Sequence, residues 1–167
     1  MKATELLEQQ HREVEEIFDM LQKDEGDREE NLRELASKLA AHMRIEEEIF
    51  YPRVREIAED QILESLEEHT LAAFALKRIA EIDFEHESFS AKLKALKDLV
   101  LHHVEEEENE VFPRVEGAMG DSELSEMGEE LEARFVEVVE SGYGANLVRG
   151  GKKKNGAGKP RQMQAMR

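Results

Sequence analysis

The stretch HMRIEEEIFYPRV, from His42 to Val54, returns sixty-one residues later as HVEEEENEVFPRV, from His103 to Val115. The shared register includes His42 and His103, Glu46 and Glu107, Pro52 and Pro113, Arg53 and Arg114, and Val54 and Val115. A histidine and a glutamate four residues apart lie one turn apart on one helix face. Each copy therefore offers an imidazole nitrogen and a carboxylate toward the same point, and two copies make a candidate metal site.

Outward from these copies, helical periodicity organises the chain. From Thr4 the apolar positions Leu7, Val14, Phe18 and Leu21 form a stripe that includes His11 and ends near Gly26. A second helix starts about Asp27, an acceptable N-cap, and its stripe of Leu32, Leu35, Leu39, His42, Glu46 and Ile49 puts both motif residues where leucines belong. Pro52 is expected to bend or loosen the end of this helix near Phe50 and Tyr51. A third helix is read from about Asp60 to Ile82 through Ile62, Leu66, His69, Ala73, Leu76 and Ala80, and a polar connection containing His86 follows. The fourth runs through Leu93, Leu96, Val100, His103 and Glu107 to Pro113. After Gly120, Asp121 or Ser122 can cap a fifth helix, about 121–141, with the stripe Leu124, Met127, Leu131, Phe135 and Val138. From Gly142 glycines and lysines remove the periodicity, and residues 144–167 are expected to form a disordered basic tail.

His11 and His42 lie 31 residues apart, and His69 and His103 lie 34 apart, so the halves read as a duplicated helical hairpin. Short connections favour antiparallel neighbours. The expectation is an all-α, up-down-up-down four-helix bundle in one domain over residues 1–143, with its metal-binding core in 1–116 and one additional C-terminal helix.

Composition narrows the chemistry. The chain of 167 residues has no cysteine, so any metal binds through nitrogen and oxygen. The charged N-terminus resembles no signal peptide and no run approaches membrane-spanning length, which makes a cytoplasmic protein the expectation. Net charge is −17, yet seven of the 23 Lys and Arg fall in residues 144–167, which hold none of the 40 acids; residues 1–143 therefore carry about −24. Such an acidic body argues against nucleic-acid binding by the body, because a surface that repels phosphate forgoes counterion release.

His11, His42, His69 and His103 supply one imidazole per helix, and Glu46 and Glu107 supply one carboxylate from each of two helices. Six donors suit two ions better than one, and bridged pairs about 3.5–4 Å apart recur in metal chemistry. The donors suit iron, with manganese or zinc as alternatives. The glutamates also sit within acidic runs that would ordinarily be solvated, but the repeated spacing from histidine to glutamate to Pro-Arg-Val overrides that reading. His102 pairs with Glu106 at the same interval but breaks the distance to Pro113, so it belongs on the surface or beside the ligands. Arg53 and Arg114 are expected on the surface, pairing with acids. Tyr51 lies nine residues from His42, about 13 Å along an ideal helix, which reads as too far for the same centre.

In the contexts QHREVEEIF around His11, HMRIEEEIFYP around His42, EEH at His69 and HHVEEEENEVFP around His103, the chain resembles the haemerythrin-like family of HHE cation-binding domains. The resemblance covers about residues 1–116. It implies a four-helix bundle with a non-haem di-iron centre, in which Glu46 and Glu107 bridge. Members include oxygen carriers, oxygen or iron sensors, and proteins with peroxide or nitric-oxide chemistry. Oxygen-carrying members have a second histidine four residues after the first on the third helix, where this chain has Ala73. Four inward histidines leave about two imidazoles per ion, with room for water, a further carboxylate or a reactive ligand; Glu15, Glu47, Glu108 and His102 are the candidates for additional ligands or for partners of the ligands. The function implied is binding or sensing of oxygen or a related diatomic. A peroxide-consuming, peroxidase- or catalase-like di-iron oxidoreductase, or an iron sensing or storage module, is the alternative.

Overall fold

The computed structural model describes residues 1–149 and is helical throughout its regular structure. Helix α1 spans Ala3–Lys23, α2 spans Arg28–Ile45, α3 spans Glu59–Ala80 and α4 spans Phe89–Glu106. They form the bundle the periodicity predicts. Helix α1 ends in a left-handed Asp24 and a positive-φ Gly26, and α2 starts where Asp27 accepts a hydrogen bond from the Glu30 backbone N–H.

Helices α2 and α4 do not stop at their glutamates. Each widens into one π-helical turn, Glu46–Phe50 and Glu107–Val111, and then resumes as Tyr51–Val54 and Phe112–Ala118. The prolines explain this. Pro52 and Pro113 cannot donate the interior hydrogen bond, and their rings crowd the carbonyl four residues back. A wider preceding turn relieves that crowding: the Tyr51 N–H reaches the Glu46 carbonyl and the Phe112 N–H reaches the Glu107 carbonyl, both five residues back. Proline here reshapes the helix rather than ending it.

The interior is two apolar clusters with a polar layer between them. One contains Val14, Phe18, Leu35, Leu39, Leu76, Phe89, Leu96 and Val100. The other contains Leu7, Ile45, Phe50, Tyr51, Ile62, Phe112, Leu124 and Met127. The four histidines fall where each helix passes from one cluster to the other, as His11 does between Leu7 and Val14.

Helix α5, Asp121–Glu140, packs against α1 and α2 and buries Leu124, Met127, Leu131 and Val138. Its N-cap is Gly120 with no side-chain hydrogen bond, so neither Asp121 nor Ser122 acts as the expected cap. Arg134 on α5 donates to Glu48 at 2.8 Å, tying this helix to the first π turn.

The expected start of the tail needs correction. Residues Tyr143–Arg149 form a further helix, α6, packed chiefly on α2. Gly144 makes the approach feasible, because a Cβ there would stand 2.2 Å from the Ala36 carbonyl oxygen. The Arg44 guanidinium lies 5.0 Å from the centre of the Tyr143 ring. The remainder of the expected tail, 150–167, lies outside the described residues. Among the described residues no helix is long and apolar enough to cross a membrane.

Candidate metal centre

Glu46 and Glu107 are the first residues of the two π turns, and both side chains have no solvent exposure. His11, His42, His69 and His103 are buried around them. The imidazoles form two pairs: the Nε2 atoms of His11 and His42 are 3.1 Å apart, and those of His69 and His103 are 3.2 Å apart. Each carboxylate reaches across the pairs. Glu46 Oε2 lies 3.3 Å from His42 Nε2 and 3.3 Å from His69 Nε2. Glu107 Oε2 lies 3.4 Å from His11 Nε2 and 3.5 Å from His103 Nε2.

These distances fit metal ions. Two donors about 2.1 Å from one ion and at right angles stand about 3 Å apart. Both oxygens of Glu46 and Oε2 of Glu107 are buried without a hydrogen-bond partner, a costly condition that a cation would relieve. Donor atoms of His11, His42, Glu46 and Glu107 lie within 4.8 Å of one another, as do those of Glu46, His69 and His103.

Without a cation the layer is electrostatically divided. Burial raises the Glu46 carboxyl well above the usual carboxylate range, and neighbouring Glu107 adds to the rise. Burial opposes ionisation of Glu107 too, but His103 and His11 outweigh it and hold that carboxyl low. Burial alone would lower the His11 pKa, yet the nearby carboxylates of Glu107 and Glu108 raise it to about 9. His42 is pushed well below the ordinary imidazole value by burial and then by the charge on His11.

Each imidazole has a partner for its outer nitrogen. His11 Nδ1 bonds Glu108 Oε1 at 2.9 Å, and His69 Nδ1 bonds Glu47 Oε1 at 3.0 Å. His42 Nδ1 bonds Gln10 Oε1 at 2.9 Å, and His103 Nδ1 bonds Glu68 Oε2 at 2.8 Å. Glu47 and Glu108 thus touch the imidazoles from behind. Glu15 turns away and accepts from Arg12 at 2.6 Å. His102 is exposed, pairing with Glu106 at 3.4 Å and standing 3.9 Å from Glu68. Gln10 and Glu68 escaped the sequence reading, although each immediately precedes a site histidine.

Three further expectations change. Ala73 is exposed in a groove beside Glu47, Thr70 and Tyr143, and the residue facing inward is Ala72. The buried seam of α3 runs Ile62, Ser65, His69, Ala72, Leu76 and Ile79, so a step of three, not four, follows His69. Tyr51 reaches the centre: its hydroxyl donates to Glu107 Oε1 at 2.8 Å and lies 3.2 Å from His69 Nε2. Distance along the helix from His42 misjudged this, because the side chain comes back from the end of the π turn. Of the repeated arginines, Arg53 pairs with Glu130 as expected, while Arg114 donates to Gln61 and the Ile57 carbonyl instead of an acid.

On the side of the histidines away from the π turns lies a cavity of about 20 Å³, lined by Val14, Leu39, Ala72 and Val100 together with the imidazoles. Glu68 also lines it, the remaining walls are apolar, and its size suits one very small molecule.

The model of the hemerythrin HHE cation binding domain matches residues 2–115, the span that holds all six donors. The chain belongs to that family. A hemerythrin HHE cation binding domain-containing protein from Mycobacterium kansasii has the same fold, with a TM-score of 0.76 at 24% identity over 89% of this chain and 98% of that one. A DNA nickase from Nostoc sp. is 26% identical over 136 residues, 80% of this chain but 39% of that protein. This HHE chain therefore spans about two fifths of the nickase's length. Family membership carries cation binding, and the buried His and Glu groups are able to hold metal.

Proposed function

We propose that His11, His42, Glu46, His69, His103 and Glu107 hold two metal ions, iron in preference to manganese or zinc, and that this di-iron centre binds oxygen or a related small diatomic. The observation that carries the reading is the placement of Glu46 and Glu107, each within 3.5 Å of an imidazole from both pairs. A carboxylate so placed would serve both ions. When bound, the ions supply redox and Lewis-acid chemistry. The chain holds the ions, sets imidazole orientation through Gln10, Glu47, Glu68 and Glu108, and keeps bulk water out with two apolar clusters. The cavity beside the imidazoles supports a ligand of diatomic size.

The second reading is a peroxide-consuming oxidoreductase. It is favoured by the Tyr51 hydroxyl, a proton donor set among the ligands and kept protonated by burial. Strand nicking is not carried over from the Nostoc relative, since this chain matches a minor part of it and its acidic body repels phosphate. Optical spectra of the iron-loaded protein, taken before and after oxygen and then peroxide, test the choice. A reversible oxygen band supports binding; rapid peroxide loss with turnover supports the enzyme; no response to either removes both.

A further inference from the structure

The two imidazole pairs differ behind their rings. By the repeat, Glu108 behind His11 corresponds to Glu47 behind His69, and both are carboxylates. Gln10 behind His42 corresponds to Glu68 behind His103, and here an amide faces a carboxylate. A carboxylate accepting from Nδ1–H makes the opposite nitrogen a stronger donor, and a charge-assisted hydrogen bond is about twice as strong as a neutral one. The difference widens at Glu108. Arg12 binds both of its oxygens, drawing charge away from His11. The His69 and His103 pair is thus backed by two carboxylates, and the His11 and His42 pair by one carboxylate shared with a guanidinium and by one neutral amide.

We infer that the two positions bind metal unequally, with the His69 and His103 position the tighter, and that the Glu68 and Gln10 pair sets the difference. The inference rests on the two-ion reading above. Both residues are buried, so neither is fully screened by water. Replacing a group that supports a metal-binding histidine commonly changes affinity by about 10–100-fold. Glu68 and Gln10 are therefore positioning residues, acting on the ion through an imidazole. Glutamate and glutamine have nearly the same shape, so exchanging them changes charge while each Nδ1–H keeps an oxygen to donate to.

The test is titration of metal-free protein with Co(II), followed by calorimetry and visible absorption, in the wild type and in Glu68→Gln, Gln10→Glu and the double exchange. The wild type is expected to take up two ions in separate steps. Glu68→Gln should weaken the tight step by about 10-fold or more, and Gln10→Glu should strengthen the weak one. The double exchange should reverse which half fills first, and His42→Ala should then abolish the tight step instead of the weak step. If Glu68→Gln does not fold, Gln10→Glu decides alone by narrowing the gap between steps. Two ions bound with constants that neither exchange alters would overturn the inference and leave the two-ion reading intact. Uptake of fewer than two ions by the wild type would overturn that reading, and this inference with it.

Discussion

Tyr51 and Phe112 hold the same place in the two halves of the chain, each five residues beyond a buried glutamate, and they lean on the centre in different ways. Phe112 stacks against His11, with ring centres 6.0 Å apart and planes 6° from parallel. Tyr51 lies over His69 at 5.4 Å and spends its hydroxyl on Glu107. The duplication thus preserves where the donors stand, the π turns that present them and the imidazole pairing. It does not preserve what surrounds them. One half has an apolar ring at this position, and the other has a proton donor against a carboxylate. Geometry common to the halves is what two ions require; chemistry that differs is what could make the ions unequal.

The largest expected effect strikes the common part. Replacing Glu46 or Glu107 by alanine is expected to remove at least one ion, since each carboxylate faces both imidazole pairs, while Glu105→Ala should retain the full complement. Elemental analysis decides, and full occupancy in both glutamate variants would disprove the bridging arrangement.

A smaller change makes the halves alike. Tyr51→Phe leaves Glu107 Oε1 without its hydroxyl donor, which should destabilise the metal-free protein by about 1–3 kcal/mol, the cost of a buried polar group left unpaired. Thermal unfolding measures it. An unaltered melting temperature would mean that the hydroxyl has no part in holding Glu107, and that the halves differ less than their contacts suggest.

The register of α3 is tested by a matched pair. Ala72→Val adds two methyl groups beside the 20 Å³ cavity and is expected to cost about 1–3 kcal/mol through overpacking, with weaker oxygen binding. Ala73→Val, exposed one residue along, should stay within about 0.5 kcal/mol and leave metal content unchanged. Both carry the same penalty for a β-branched residue in a helix, so their difference isolates the inward face. Equal effects would contradict the assigned rotation of α3. The smallest expected effect lies farthest from the donors: Gly144→Val should displace α6 at a cost of about 1 kcal/mol with metal retained, which unfolding and metal analysis together check.

The bundle and its six inward donors were legible because they obey the strongest rules of sequence: a 3.6-residue apolar period, interrupted at equal depth on four helices, and a motif repeated in register. What escaped was finer than those rules. After His69 the seam continues at either the third or the fourth residue, and alanines occupy both Ala72 and Ala73, so composition gives no preference. Tyr51 was excluded by distance along a straight axis, which ignores the length of its side chain and the widened turn before it. Gln10 and Glu68 each sit about 100° around their own helix from the site histidine that follows, His11 or His69, where a period-based reading places surface residues, yet they serve His42 and His103 across the bundle. Helix α6 lacks a long apolar stripe; its mark is one glycine where α2 comes close.

The duplicated donors are placed to hold a pair of ions between them. Elemental analysis of protein purified without added metal tests this most directly. Two metal ions per chain are expected, predominantly iron, lost on chelation and restored by ferrous iron alone. A single zinc per chain, or a folded protein that neither contains metal nor takes up two ions, would contradict it.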